Sequence, residues 1–99
     1  MDSLVKLIKQ IKKKPEMYVG QKSLSLIQAY LYGWLNRDEK GVSDSFLLGE
    51  FQEWIQQRYK VTSTQSWAHI ILFYSVDEHD ALGKFFQLFD EFLEQRKGM

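Results

Sequence analysis

The 99-residue chain has no cysteine, one proline and two histidines. Without thiols there is neither a disulfide framework nor a thiolate metal site. The histidines, His69 and His79, belong to no His-Glu-x-x-His or similarly spaced ligand set, so neither a metal nor a cofactor is expected. The longest apolar run, 70–74, falls far short of the roughly 20 residues a membrane-spanning helix needs. No basic segment followed by a long apolar stretch opens the chain, so no secretory leader is expected and the reading is cytoplasmic. Gly-x-Ser-x-Gly, Gly-x-x-x-x-Gly-Lys and Gly-x-Gly-x-x-Gly are all missing, which removes the usual signs of a hydrolase or a phosphate-cradling loop. Net charge is missing too: 13 Lys and Arg balance 13 Asp and Glu. That balance disfavours a generally basic nucleic-acid binder.

What is present is a globular composition, 44% apolar and 26% charged, with a high aromatic share of 15%. Surface scaling gives roughly 5,900 Å² folded against about 17,000 Å² unfolded, enough burial for one unstapled core. A single domain over residues 1–99 follows.

The apolar spacing is helical through most of the chain. Leu4, Leu7, Ile8 and Ile11 form one stripe behind Asp2 or Ser3 as cap, and Pro15 stops this helix near Lys13. Residues 15–22 read as a loop pinned to the core, because Met17, Tyr18 and Val19 are too apolar to be left in water. Ser23 caps a second helix with Leu24, Ile27, Leu31, Trp34 and Leu35 inward. Gly33 within it suggests close approach of another element. After a polar connection at 36–43, Ser43 or Asp44 is expected to cap a third helix carrying Leu47, Leu48, Phe51, Trp54 and Ile55. Residues 67–74 suit either a buried strand or a helix capped by Ser66; no second strand is available to pair with, so helix is favoured. On the helical reading Trp67, Ile70, Ile71 and Tyr74 share one face. His69, within this run, reads as a core or near-core residue. Ser75-Val76-Asp77-Glu78 has the form of a capping box. The last helix, to about Arg96, buries Ala81, Leu82, Phe85, Phe86, Phe89, Phe92 and Leu93. The expected fold is an all-α bundle of about five helices, with α+β (67–74 as a strand) as the alternative. Trp34, Trp54 and Trp67 are read as core or near-core anchors.

Charge is segregated along the chain. Residues 1–22 carry six Lys against Asp2 and Glu16, whereas residues 61–99 carry six acidic groups against three basic ones. The two ends are expected to attract one another. Lys6, Lys9, Lys12, Lys13 and Lys14 are a candidate electrostatic footprint for nucleic acid or a membrane surface, but with only three Arg a solvated face is favoured. The pairs Asp77/Asp80 and Asp90/Glu94 lack the desolvated pocket that separates the pKa values of an acid–base couple, so no enzyme is expected.

The segment Lys13-Lys14-Pro15-Glu16-Met17-Tyr18-Val19-Gly20 is similar to a stretch of type II topoisomerase ATPase subunits, but none of their ATP motifs accompanies it and kinship is rejected. A broader pattern covers about four-fifths of the chain. Lys14-Pro15-x-Met17-Tyr18-x-Gly20, Ser23-Leu24, Ala29-Tyr30-x-x-Gly33, Ser66-Trp67-Ala68, Ile70-Ile71, Asp77-Glu78-x-x-Ala81 and Phe85-Phe86 together resemble small bacterial immunity proteins encoded beside polymorphic toxins. The resemblance implies a cytoplasmic, non-enzymatic protein that binds and blocks one cognate toxin domain. On that reading Asp77, Glu78, Asp80, Asp90, Glu91 and Glu94 are candidates for occupying a basic cleft in the toxin. A small adaptor or regulatory protein-binding module is the alternative, nucleic-acid binding through the lysine helix a further one. An exposed aromatic patch would allow a homodimer.

Overall fold

A computed structural model describes residues 3–37 and 41–98. The first helix, α1 (Leu4–Lys13), turns Leu4, Leu7, Ile8 and Ile11 inward, and its N-cap Ser3 accepts from the Lys6 amide. Lys14 leaves helical geometry ahead of Pro15, as a residue before proline must. Residues 15–22 are not simply a loop: Pro15 starts a single helical turn, α2 (Glu16–Val19). Gly20 ends that turn at φ +82°, where its N–H reaches the Glu16 carbonyl. A side chain is rarely accommodated in that left-handed conformation, so the glycine is needed there. Tyr18 sets its ring edge against Tyr30 at 5.6 Å, pinning the turn as expected. Met17, by contrast, is 74% exposed; one helical turn has too little inner face to cover three apolar side chains.

The Ser23 hydroxyl accepts from the Leu26 amide and caps α3 (Leu24–Arg37). Gly33 faces open space: a methyl group there would meet nothing within 4 Å beyond its own helix, so it marks no close approach. The third long helix, α4 (Leu47–Arg58), starts later than its expected caps: Phe46 is the N-cap and contributes no side-chain bond. Asp44 has turned away to a distant partner instead. Its carboxylate accepts from the Leu4 amide (2.7 Å), the Val5 amide (3.1 Å) and the Ser3 hydroxyl (2.9 Å), satisfying donors that the start of α1 cannot satisfy itself. At the other end of α4, Val61 N–H bonds the Gln56 carbonyl and Lys60 N–H bonds that of Gln57, with Lys60 at φ 55°. This is a Schellman stop with a lysine where glycine is commoner.

Residues 67–73 are helical. In α5 (Trp67–Phe73) Ser66 accepts from the His69 amide, and the Gln52 side chain accepts from the Trp67 amide at 2.6 Å. His69 is exposed on the outer side of α5 with Nδ1 3.1 Å from Ser66 Oγ, not in the core. The expected capping box is displaced by two residues. Asp77 caps α6 (Glu78–Lys97) by accepting from the Asp80 amide, and Asp80 reaches back to the Val76 amide. Ser75 closes α5 instead, donating to the Ile71 carbonyl at 2.7 Å.

The six helices form one all-α bundle, with no strand among the described residues. The helix α6 lies against α3, α4 and α5. Phe51, wholly buried, is the hub: its ring centroid lies 5.3–5.8 Å from those of Trp67, Phe85, Phe89 and Phe92. Among the tryptophans only Trp67 is fully buried, stacked on Phe85 at 4.9 Å with its indole N–H on the Tyr32 hydroxyl. Trp34 and Trp54 are half-buried covers, each with an arginine over its outer face. The helices α4 and α6 run antiparallel beneath a polar seam of Glu50–Arg96, Trp54–Gln95 and Arg58–Glu91. No helix among the described residues is long and apolar enough to cross a membrane.

Candidate protein interface

The six acidic residues singled out in the sequence all come from α6 and its cap, but they do not make one face. Asp77, Glu78 and Asp80 cluster at its start. Asp90, Glu91 and Glu94 begin ten residues beyond Asp80, about 15 Å along the axis at the usual helical rise.

Most are already engaged within the fold. Glu78 joins the start of α6 to the start of α3: it accepts from the Ser25 amide (3.0 Å), the Ser25 hydroxyl (2.6 Å) and the Ser23 hydroxyl (3.2 Å). Burial alone would raise the Glu78 carboxyl, but these donors outweigh it and hold the pKa below the usual value. The Val76 amide leads in lowering that of Asp80, against slight desolvation and with help from Lys84. Asp90 pairs with Lys12 at 3.0 Å, and Glu91 with Arg58. Glu94 lines a groove between α1 and α6 of about 540 Å³, alongside Asp90, Lys9, Arg96 and Lys97. Positive and negative side chains alternate there, so the C-terminal half of α6 presents mixed charge rather than an acidic strip.

Among the described residues, the two most exposed large apolar side chains lie beside the first acidic group. Phe73, the last residue of α5, is 76% exposed, and Val76, in the turn that follows, is 90% exposed. Tyr74 between them is partly covered, stacked on Tyr59 at 4.8 Å, and Phe73 meets it edge-on at 5.0 Å. The turn is held in place rather than left loose. Lys84 donates to the Tyr74 carbonyl at 2.6 Å and pairs with Asp80 at 3.4 Å. A shallow groove beside it is shared by Val76, Asp77, Asp80, Lys84 and Gln87. The result is an aromatic and aliphatic knob on a fixed turn, with carboxylates on one flank.

The helical spacing of 67–74 does not single out Phe73 or Val76, and it places Tyr74 on the buried stripe with Trp67, Ile70 and Ile71. In the structure α5 ends just before Tyr74, which leaves that stripe half-exposed at its end. Phe73 falls off the stripe, on the side of His69, and this out-of-phase aromatic is the signal the sequence offers.

Compared with protein-family models, curated proteins and solved structures, the chain matches none.

Proposed function

We propose that this chain is a non-enzymatic protein-binding inhibitor, a cytoplasmic immunity protein that neutralises a cognate bacterial toxin domain through the α5–α6 turn. The observation that supports this reading is the pair Phe73 and Val76, 76% and 90% exposed, at the end of α5 and in the following turn, which the Lys84 and Asp80 contacts fix. Large apolar groups held rigidly in water are what a partner desolvates most profitably, and fixed geometry spares the ordering cost of binding. Asp77 and Asp80 flank the knob and favour a partner whose pocket is rimmed by basic side chains. The sequence pattern supplies the immunity reading, and the turn supplies its surface.

The test is neutralisation in cells. The chain is coexpressed with toxin domains encoded beside its gene, as wild type and as F73A/V76A. Rescue of growth by the wild type, lost in the variant while its melting temperature is unchanged, is the expected result. Rescue that survives the double substitution would move the contact elsewhere on the bundle. A stable partner with no toxicity would make the chain an adaptor, and concentration-dependent self-association lost in the variant would make the knob a homodimer contact.

A further inference from the structure

A second, chemically different site lies where the end of α1, the α2 turn and the first half of α6 meet. It is a cleft of about 230 Å³ bordered by Lys12, Lys13, Lys22 and His79, with Glu16 as its single carboxylate. Its apolar lining, Pro15, Leu82 and Phe86, is buried. We infer that this cleft binds a small soluble phosphate monoester.

The three lysines come from two separate stretches of chain, and the turn at 14–22 brings both to the cleft. Lys12 is committed to Asp90, whereas Lys13 and Lys22 form no ion pair among the described residues. Lys13 also answers the negative end of α1, but Lys22 lies outside any helix and has no such structural role. Lysines from two stretches of chain bordering one concavity suit a compact, multiply charged anion, and His79 borders it from the α6 side. Size narrows the class. The cleft is smaller than the roughly 300–1,000 Å³ of drug-sized ligand sites, so it takes one phosphate on a short carbon skeleton. Gly83 forms part of the α6 wall, shared with the groove beside Val76, and faces open space.

The experiment is an NMR titration of the full chain with inorganic phosphate and with glycerol 3-phosphate, chloride holding ionic strength constant. Saturable shifts at Lys13, Lys22, His79 and Gly83 are expected. K13Q/K22Q should weaken binding at least tenfold, and Gly83→Leu, which keeps every charge and crowds one wall, should weaken it as well. K6Q/K9Q, an equal change of charge on α1 outside the cleft, should bind as the wild type does. Equal loss in K6Q/K9Q, or shifts that rise without saturating, would mean diffuse attraction to the basic segment and would overturn the assignment. An RNA oligomer that displaces phosphate from the wild type and is lost in K6Q/K9Q would overturn it in favour of a nucleic-acid face. Thermal melts of each variant separate lost binding from lost folding.

Discussion

Glu78 and Asp44 do similar work at opposite ends of the fold, each satisfying the free amides at a helix start with a carboxylate from elsewhere in the chain. For Asp44, as for Glu78, burial opposes ionisation, and the Leu4, Val5 and Ser3 donors more than offset it, so its pKa is lowered. A carboxyl held below its unfolded value contributes stability that is fully present above that value. The contribution begins to fade near 4.5 for Glu78 and 3.8 for Asp44, and is gone only once the pH is below the lowered native values. D44N and E78Q should each cost about 0.5–2 kcal/mol at pH 7, and urea unfolding should show that deficit shrinking as the pH falls below 4. A deficit constant with pH would mean that the lost packing, not the charge, matters. Charge reversal at Asp77, Glu78 or Asp80 is accordingly a poor probe of binding, because all three hold helix ends. At Gly33 the expectation has the opposite sign. The site is helical and open, so Gly33→Ala should add up to about 1 kcal/mol, visible as a higher melting temperature.

At the scale of elements, the apolar stripes are readable because helical spacing and burial coincide: Leu4, Leu7, Ile8 and Ile11 on α1, and Phe85, Phe86, Phe89 and Phe92 on α6, are all buried. That Phe85, Phe89 and Phe92 meet on Phe51 is not readable, since nothing in a single stripe says which ring will sit at the centre. Phe51→Ala should cost about 3–5 kcal/mol, the range for emptying a buried phenylalanine site. Trp54→Ala, on a half-buried cover, should cost less. Equal losses in chemical denaturation would contradict the placement of the hub. Helix ends are harder to read than helix faces. Ser43 and Asp44 look like caps for α4 only while the chain is read locally; Asp44 is drawn off by the unsatisfied amides of α1. The same long-range logic decides 67–73, where Gln52 on α4 holds the first amide of α5. The single turn of α2 leaves no trace in the pattern because four residues display no periodicity.

Over the whole molecule, the basic start and acidic end do meet, but directly only through Lys12 and Asp90 at 3.0 Å among the described residues. An exposed pair of that kind adds little to stability. The charge segregation therefore bears more on what approaches the surface than on what holds it together. Legibility of the candidate interface divides the same way. Its carboxylates stand out in the sequence as a charge run, whereas Phe73 is hidden in the apolar run that Ile70 and Ile71 carry into the core, and Val76 is a lone apolar residue between Ser75 and Asp77. With a radius of gyration of 13.0 Å, about the value of a 100-residue domain, the bundle has little interior to spare, and apolar residues out of phase with it are forced outward. The clasp from Asp44 to Ser3, Leu4 and Val5 also imposes an order in time. During synthesis at roughly 5–20 residues per second, α1 precedes the carboxylate that completes its first turn by about 2–8 s. Through that interval its leading amides have only water, so the first helix to be made is finished only after α2 and α3 have followed it.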